Sequence, residues 1–217
     1  MLDSNLHDAG CRPRAVVPGR PGFTKTSVVA NAGAMHASDV RSASAGVTVG
    51  SRAGPLASVA VGYVVREASG AFGTDQTGSS LGASIAYAGT EAGGRMEFCP
   101  GAGVSLIRVS GDFFGSEATL TQTSRRVGLS AGYILAASTD VLVVPYASAE
   151  CVWFGGSVKG DRVNMPVPED TYIPISIGAG AVWRERYGAT VGVVLPTGVP
   201  TAHHSYTMSF SVALGGR

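Results

Sequence analysis

The segment His203-His204-Ser205 places a histidine two residues before a serine. Residues two apart on a strand share a face, so a base at His203 has the spacing to take a proton from the Ser205 hydroxyl. Such a set also needs an acid to orient the histidine, and nothing acidic follows Ser205. The pattern therefore reads as a polar loop end. Asp161, Glu169 and Asp170 supply the oxygen donors that calcium takes, yet they lack the spacing of a calcium loop and read as solvated charge. With three cysteines a full disulfide framework is excluded, and no CxxC or His/Cys cluster offers a zinc site. Neither a metal nor a cofactor is expected. Four other residues have positional meaning. Glu97 and Glu150 stand within alternating segments, and Arg95 and Arg126 stand at the ends of such segments. These four are the candidate polar lining of an interior passage.

The elements that would position them show a period of two. From Ser205 to Leu214 the large apolar residues Tyr206, Met208, Phe210, Val212 and Leu214 alternate with Ser, Thr and Ala. A strand puts these sets on opposite faces. Its ten residues suffice to cross a bilayer at a tilt. Similar ribbons run from Thr24 to Met35, Val40 to Ser51, Leu56 to Arg66, Ser79 to Gly89 and Arg95 to Val109. Others span Arg126 to Ala137, Val141 to Phe154, Tyr172 to Arg184 and Gly188 to Leu195. Charged residues make up 14% of the chain, against about 25% in average globular proteins. No run of about 18 apolar residues supplies a spanning helix. A soluble sandwich would need a face studded with charge, and here the only lysines are Lys25 and Lys159. The net charge of +1 argues against a nucleic-acid partner.

Connections alternate in length. Short ones lie at 52–55, 90–94, 138–140 and 185–187, and long ones at 67–78, 110–125, 155–171 and 196–204. An up-and-down barrel with both termini on one side has this rhythm and an even number of strands. The reading is all-β: a closed antiparallel transmembrane barrel of about ten strands, with eight as the alternative. Val59, Val61, Leu81, Leu129, Ile175 and Val193 face outward on this assignment. Gly62, Ser84, Glu97, Ser130, Glu150 and Ser176 face inward. Cys99 then points inward and Cys151 outward, so the two do not pair. Trp153 and Tyr206 fall near the long-loop end, Trp183 and Tyr187 near the short-turn end, as two interfacial girdles would. Residues 1–22 read as a disordered N-terminal segment rich in Arg and Pro, and residues 23–217 as the barrel. Ala9-Gly10-Cys11 follows no apolar run, which disfavours a lipid anchor.

On this pattern the chain resembles the small outer-membrane β-barrel proteins of Gram-negative-type bacteria. The likeness covers Thr24 to Leu214 and rests on alternation, not on a signature motif. It implies an outer-membrane location, a monomer, contact with outer-membrane lipids and insertion by the barrel-assembly machinery. Members usually end on an aromatic residue, whereas Phe210 is the last aromatic here. The function expected is structural or a narrow passive pore of weak cation preference, without catalysis. Two alternatives stand beside it. The His203–Ser205 spacing is similar to that of outer-membrane lipid A deacylases, which implies a lipid-acting hydrolase at the rim. A soluble β-barrel holding a small apolar ligand is the other.

Overall fold

The computed structural model describes residues 27–50, 54–67, 75–90, 95–113, 115–136, 138, 140–184, 186–197 and 204–214. Segment 1–22 lies outside them. The described chain is all strand: β1 Ser27–Ala37, β2 Val40–Gly50, β3 Gly54–Arg66, β4 Gln76–Thr90, β5 Met96–Phe113, β6 Ser116–Tyr133, β7 Leu135–Ala136, β8 Val141–Gly160, β9 Asn164–Trp183, β10 Tyr187–Thr197 and β11 Ser205–Leu214. The two residues of β7 continue β6 in the same register against β8, so ten strands form the wall.

Every neighbouring pair is antiparallel, and the order follows the chain. β1 pairs with β11 from Val28↔Leu214 to His36↔Tyr206, which closes the sheet. The stagger can be traced along the ladders. From Ser42 one way round, the register passes Val64, Gly78, Val109 and Leu120 to Val158. The other way, it passes Met35, Thr207, Gly192 and Gly178 to Tyr146, twelve residues lower on the same β8. A stagger of this size tilts the strands by roughly 35–45°.

Two of the expected long connections are strand instead. The β5–β6 ladder continues to Phe113↔Ser116, and β8–β9 continues to Lys159↔Asn164. Gly115 turns the first hairpin at φ 78°, a backbone that a side chain resists. A register shift between Phe154 and Gly156 marks where β8 and β9 leave the body of the barrel. The apolar alternation stops before these hairpins end because their outward residues turn polar. On β5 the outward series Val104, Leu106 gives way to Arg108 and Ser110. On β6, Leu129 and Val127 give way to Arg125, Thr123 and Thr121.

Below that border the outward face is apolar and bare. Val61 is 58% exposed, Ile85 66% and Phe210 59%. Exposed apolar area this continuous has no place in water. Tyr63, Trp153 and Tyr206 rim its upper edge. Tyr87, Tyr133, Trp183 and Tyr187 rim the lower, where Trp183 and Tyr187 lie 5.6 Å apart with Arg184 and Arg186 over their rings. The twelve steps from Val141 to Trp153 on β8, at about 3.3 Å each and a tilt near 40°, climb roughly 30 Å, one hydrocarbon thickness.

The outer turn between β1 and β2 is latched to β3. The Asp39 carbonyl accepts from Glu67 N at 2.8 Å, and Arg66 Nε donates to the Asp39 carboxylate at 3.3 Å. Burial pushes the Asp39 carboxyl up, but the Ser38 hydroxyl and the Arg66 charge outweigh it and hold it below the usual carboxylate range.

The border yields a direct test. Leu129→Arg, inside the belt, is expected to cost about 2–4 kcal/mol, and Thr121→Arg, outward on the same strand but above it, about 0–1 kcal/mol. Folding titrations into lipid vesicles measure both. Equal costs would contradict the membrane border drawn here.

Candidate functional site

Among the described residues, polar side chains converge in the interior of the barrel. Its wall is built from the small residues that alternate with the apolar set, and these hydroxyls satisfy one another across strands. Ser58 pairs with Ser84 at 2.7 Å, Ser105 with Ser124 at 2.7 Å and Thr190 with Ser209 at 2.6 Å. Asn31 donates to Thr48 at 3.3 Å. Cross-strand neighbours on one face lie close enough for such pairs by construction.

Three large inward side chains, Tyr146, Arg126 and Glu150, lie over glycines, while Phe154 and Tyr172 pack on each other. The Tyr146 hydroxyl sits 2.7 Å and 2.5 Å from where methyl groups on Gly178 and Gly192 would stand, and those glycines are register partners. Arg126 lies over Gly103, and Glu150 over its partner Gly128. The glycine runs noted in the sequence are thus beds for the residues that fill the tube, and no phosphate loop is formed.

Of the four polar candidates, two come together. Arg126 and Glu150 face inward on β6 and β8, with Nη1 and Oε2 4.0 Å apart and only 6% and 18% of the side chains exposed. Arg126 is not at a strand end as its sequence context suggests. It stands mid-strand, because β6 runs on to Ser116 beyond the polar switch at Arg125. No protein group hydrogen-bonds Nη2 of Arg126 or Oε2 of Glu150. Glu97 faces inward near the lower end of β5, half-buried, and no described cation pairs with it. Arg95 is outside the lumen: it is exposed in the connection before β5, beside Tyr133, and its carbonyl accepts from Ile134 N at 2.8 Å.

Sequence reasoning missed the upper lumen. There, inward residues become apolar, and Met35, Val40, Val64, Ile107, Val109, Phe113, Ala118, Leu120 and Val158 form one buried cluster from six strands. Val64 and Val109 are 0% exposed, where the wall of an open tube would be wet. Val163 and Val167 of the β8–β9 hairpin pack against it. The signal was present as Val and Ile at inward positions, but only over short stretches near the strand ends.

The rim pattern does not assemble into a catalytic set among the described residues. Ser205 faces inward, 1% exposed, with its hydroxyl unpartnered. His204 faces outward against Tyr206 at 5.4 Å, and His203 lies outside the described residues. Nor do any three His, Cys, Asp or Glu residues among them cluster as metal ligands.

No protein-family model matches the chain, and no curated protein is similar to it in sequence. Solved structures are similar in fold. The translocator domain of the autotransporter NalP from Neisseria meningitidis superposes with a TM-score of 0.53 at 13% identity, over 88% of each chain. The β domain of the Bordetella autotransporter BrkA gives 0.51 at 13% identity, over 86% of this chain and 98% of its own. LpxR from Salmonella typhimurium gives 0.50 at 8% identity, over 86% and 99%. This is the fold of bacterial outer-membrane β-barrels. The belt between two aromatic girdles suits the chain to that membrane.

The buried pair can be tested by a double-mutant cycle. Glu150→Ala leaves Arg126 buried without compensation and is expected to cost about 3–5 kcal/mol, most of it recovered in Glu150→Leu with Arg126→Met. Urea unfolding in vesicles reads both. A single-mutant cost below about 1 kcal/mol would show that the pair is solvated.

Proposed function

We propose that this protein is a non-catalytic, closed outer-membrane barrel whose task is structural. It holds two tall hairpins, β5–β6 and β8–β9, above the outer surface on a plugged transmembrane base. The observation that carries this reading is the apolar cluster at the upper end of the lumen. Ions cross a hydrophobic constriction only where it is wide enough to stay wet, and the burial of Val64, Val109 and Leu120 argues against a wet path there. Below the cluster, the hydroxyl pairs, Tyr146 and the Arg126–Glu150 pair occupy the middle of the tube. A barrel of ten strands is close to the eight-strand limit at which side chains alone fill the interior.

The absence of catalysis is part of the proposal. A rim hydrolase needs a base in reach of the nucleophile and a surface open to lipid. The Ser205 hydroxyl is buried behind the wall, and His204 points away from it.

Planar-bilayer recordings test the closure. The wild type is expected to show no steady conductance, and Val109→Gly with Leu120→Gly, which empties the cluster, is expected to open a small one. Steady conductance in the wild type that loses cation preference in Glu97→Gln with Glu150→Gln would establish the passive pore instead.

A further inference from the structure

Arg108 and Arg125 stand on the outward face at the upper border of the apolar belt, on the adjacent strands β5 and β6. Neither forms an ion pair or side-chain hydrogen bond among the described residues. The rest of the border is different. Arg41 on β2 is bound to Glu67 at 2.7 Å, and β4, β9 and β10 present Ser79, Thr171 and Thr197. The other titratable groups near this level are Tyr63, Tyr206, His36 and His204, with Asp39 and Glu67 at the β1–β2 turn and Glu169 and Asp170 on β9, separated from Arg125 by β8. The nearest acids on the β5–β6 wall, Asp112 and Glu117, are partners at the hairpin tip, four residues or more above Arg108. Among the described residues at this level, arginine without an ion pair is therefore confined to the β5–β6 side of the barrel.

That same side carries a groove of about 780 Å³ in the lipid-facing wall, with Arg125 in its lining. One register row of the groove runs Val47, Val59, Ala83, Val104, Arg125, and the row beneath it runs Val49, Ala57, Ile85, Ala102, Val127. The alanines give the depth between valines. Because the rows climb from β2 towards β8, the groove rises to Arg125. Four strand steps of about 4.8 Å, inclined near 40°, gain roughly 12 Å, close to the roughly 15 Å depth of one hydrocarbon leaflet. Trp153, the register partner of Arg125, completes the upper end.

Charge and groove coincide, and together they describe a lipid: an anionic headgroup at the border with a fatty chain running down from it. We infer that the β2–β6 wall binds a bisphosphorylated, multiply acylated glycolipid of the lipopolysaccharide class. Its phosphates meet Arg108 and Arg125, and one acyl chain lies along the groove. Arg125 pairs with Val104, and Arg108 stands four residues further up β5, so the two Cα atoms are roughly 14 Å apart. Two guanidiniums at that spacing suit two phosphates better than the single phosphate of a glycerophospholipid. The inference rests on the chain spanning the outer membrane and is independent of whether the lumen is closed.

Native mass spectrometry of the detergent-purified barrel tests it, with bisphosphorylated lipid A, monophosphorylated lipid A and phosphatidylglycerol as probes. One bisphosphorylated lipid A is expected to be retained in preference to the other two. Its retention is expected to fall tenfold or more in Arg108→Gln with Arg125→Gln, and likewise in Ala83→Phe, which fills the groove and leaves both arginines. Arg186→Gln, at the lower girdle and away from the groove, is expected to bind as the wild type does. A mobility shift on boiling confirms that each variant is folded. Equal retention of phosphatidylglycerol, or retention unchanged in both test variants, would overturn the site. Bilayer conductance bears on the plug alone, so the two readings fail separately.

Discussion

The hydrocarbon of a bilayer offers no water to backbone amides, and each unsatisfied N–H or C=O there costs several kcal/mol. A strand can live in that medium only if both of its edges are paired. The nine register pairs between β1 and β11, Val28↔Leu214 to His36↔Tyr206, meet that requirement, because they turn an open sheet into a tube without edges. Nearly every other feature follows from this closure. It fixes an even number of spanning strands, divides each strand into a lipid face and a lumen face, and sets the stagger that tilts the wall.

Closure then creates a second problem, the inside. A tube of ten strands is too wide for alternating Ser and Ala alone to fill. The chain answers with three devices. Cross-strand hydroxyl pairs line the wall, a few long side chains lie across glycines, and an apolar cluster seals the outer end. Each long residue needs its bed. Tyr146 fits because Gly178 and Gly192 carry no Cβ beneath its hydroxyl. The Arg126–Glu150 pair is tolerated because each charge has the other within 4.0 Å.

Much of this was legible in the sequence. Alternation over Ser205 to Leu214 and its counterparts reveals strand, face and fold class, and the outward positions of Val61, Leu129 and Ile175 follow from it. What alternation reports, however, is contact with lipid. Where β5, β6, β8 and β9 rise beyond the membrane, their outward residues become Arg108, Thr121, Lys159 and Asn164, and the signal ends although the ladder goes on. The segments 110–125 and 155–171 therefore read as loops, and Arg126 as a strand end. The arginine–glutamate pairing across β6 and β8 depends on register, which is set by turns and stagger that no single strand encodes. For the same reason the groove beneath Arg125 was invisible. Its lining comes from five strands and meets only after the sheet has closed.

Amide hydrogen exchange of the protein in lipid vesicles tests the closure itself. If β1 and β11 form a seam, their amides from Val28 to Ala34 and from Met208 to Val212 exchange as slowly as those in the middle of β3 and β4. Fast exchange confined to β1 and β11, with the other strands protected, would show two free edges and contradict a closed barrel.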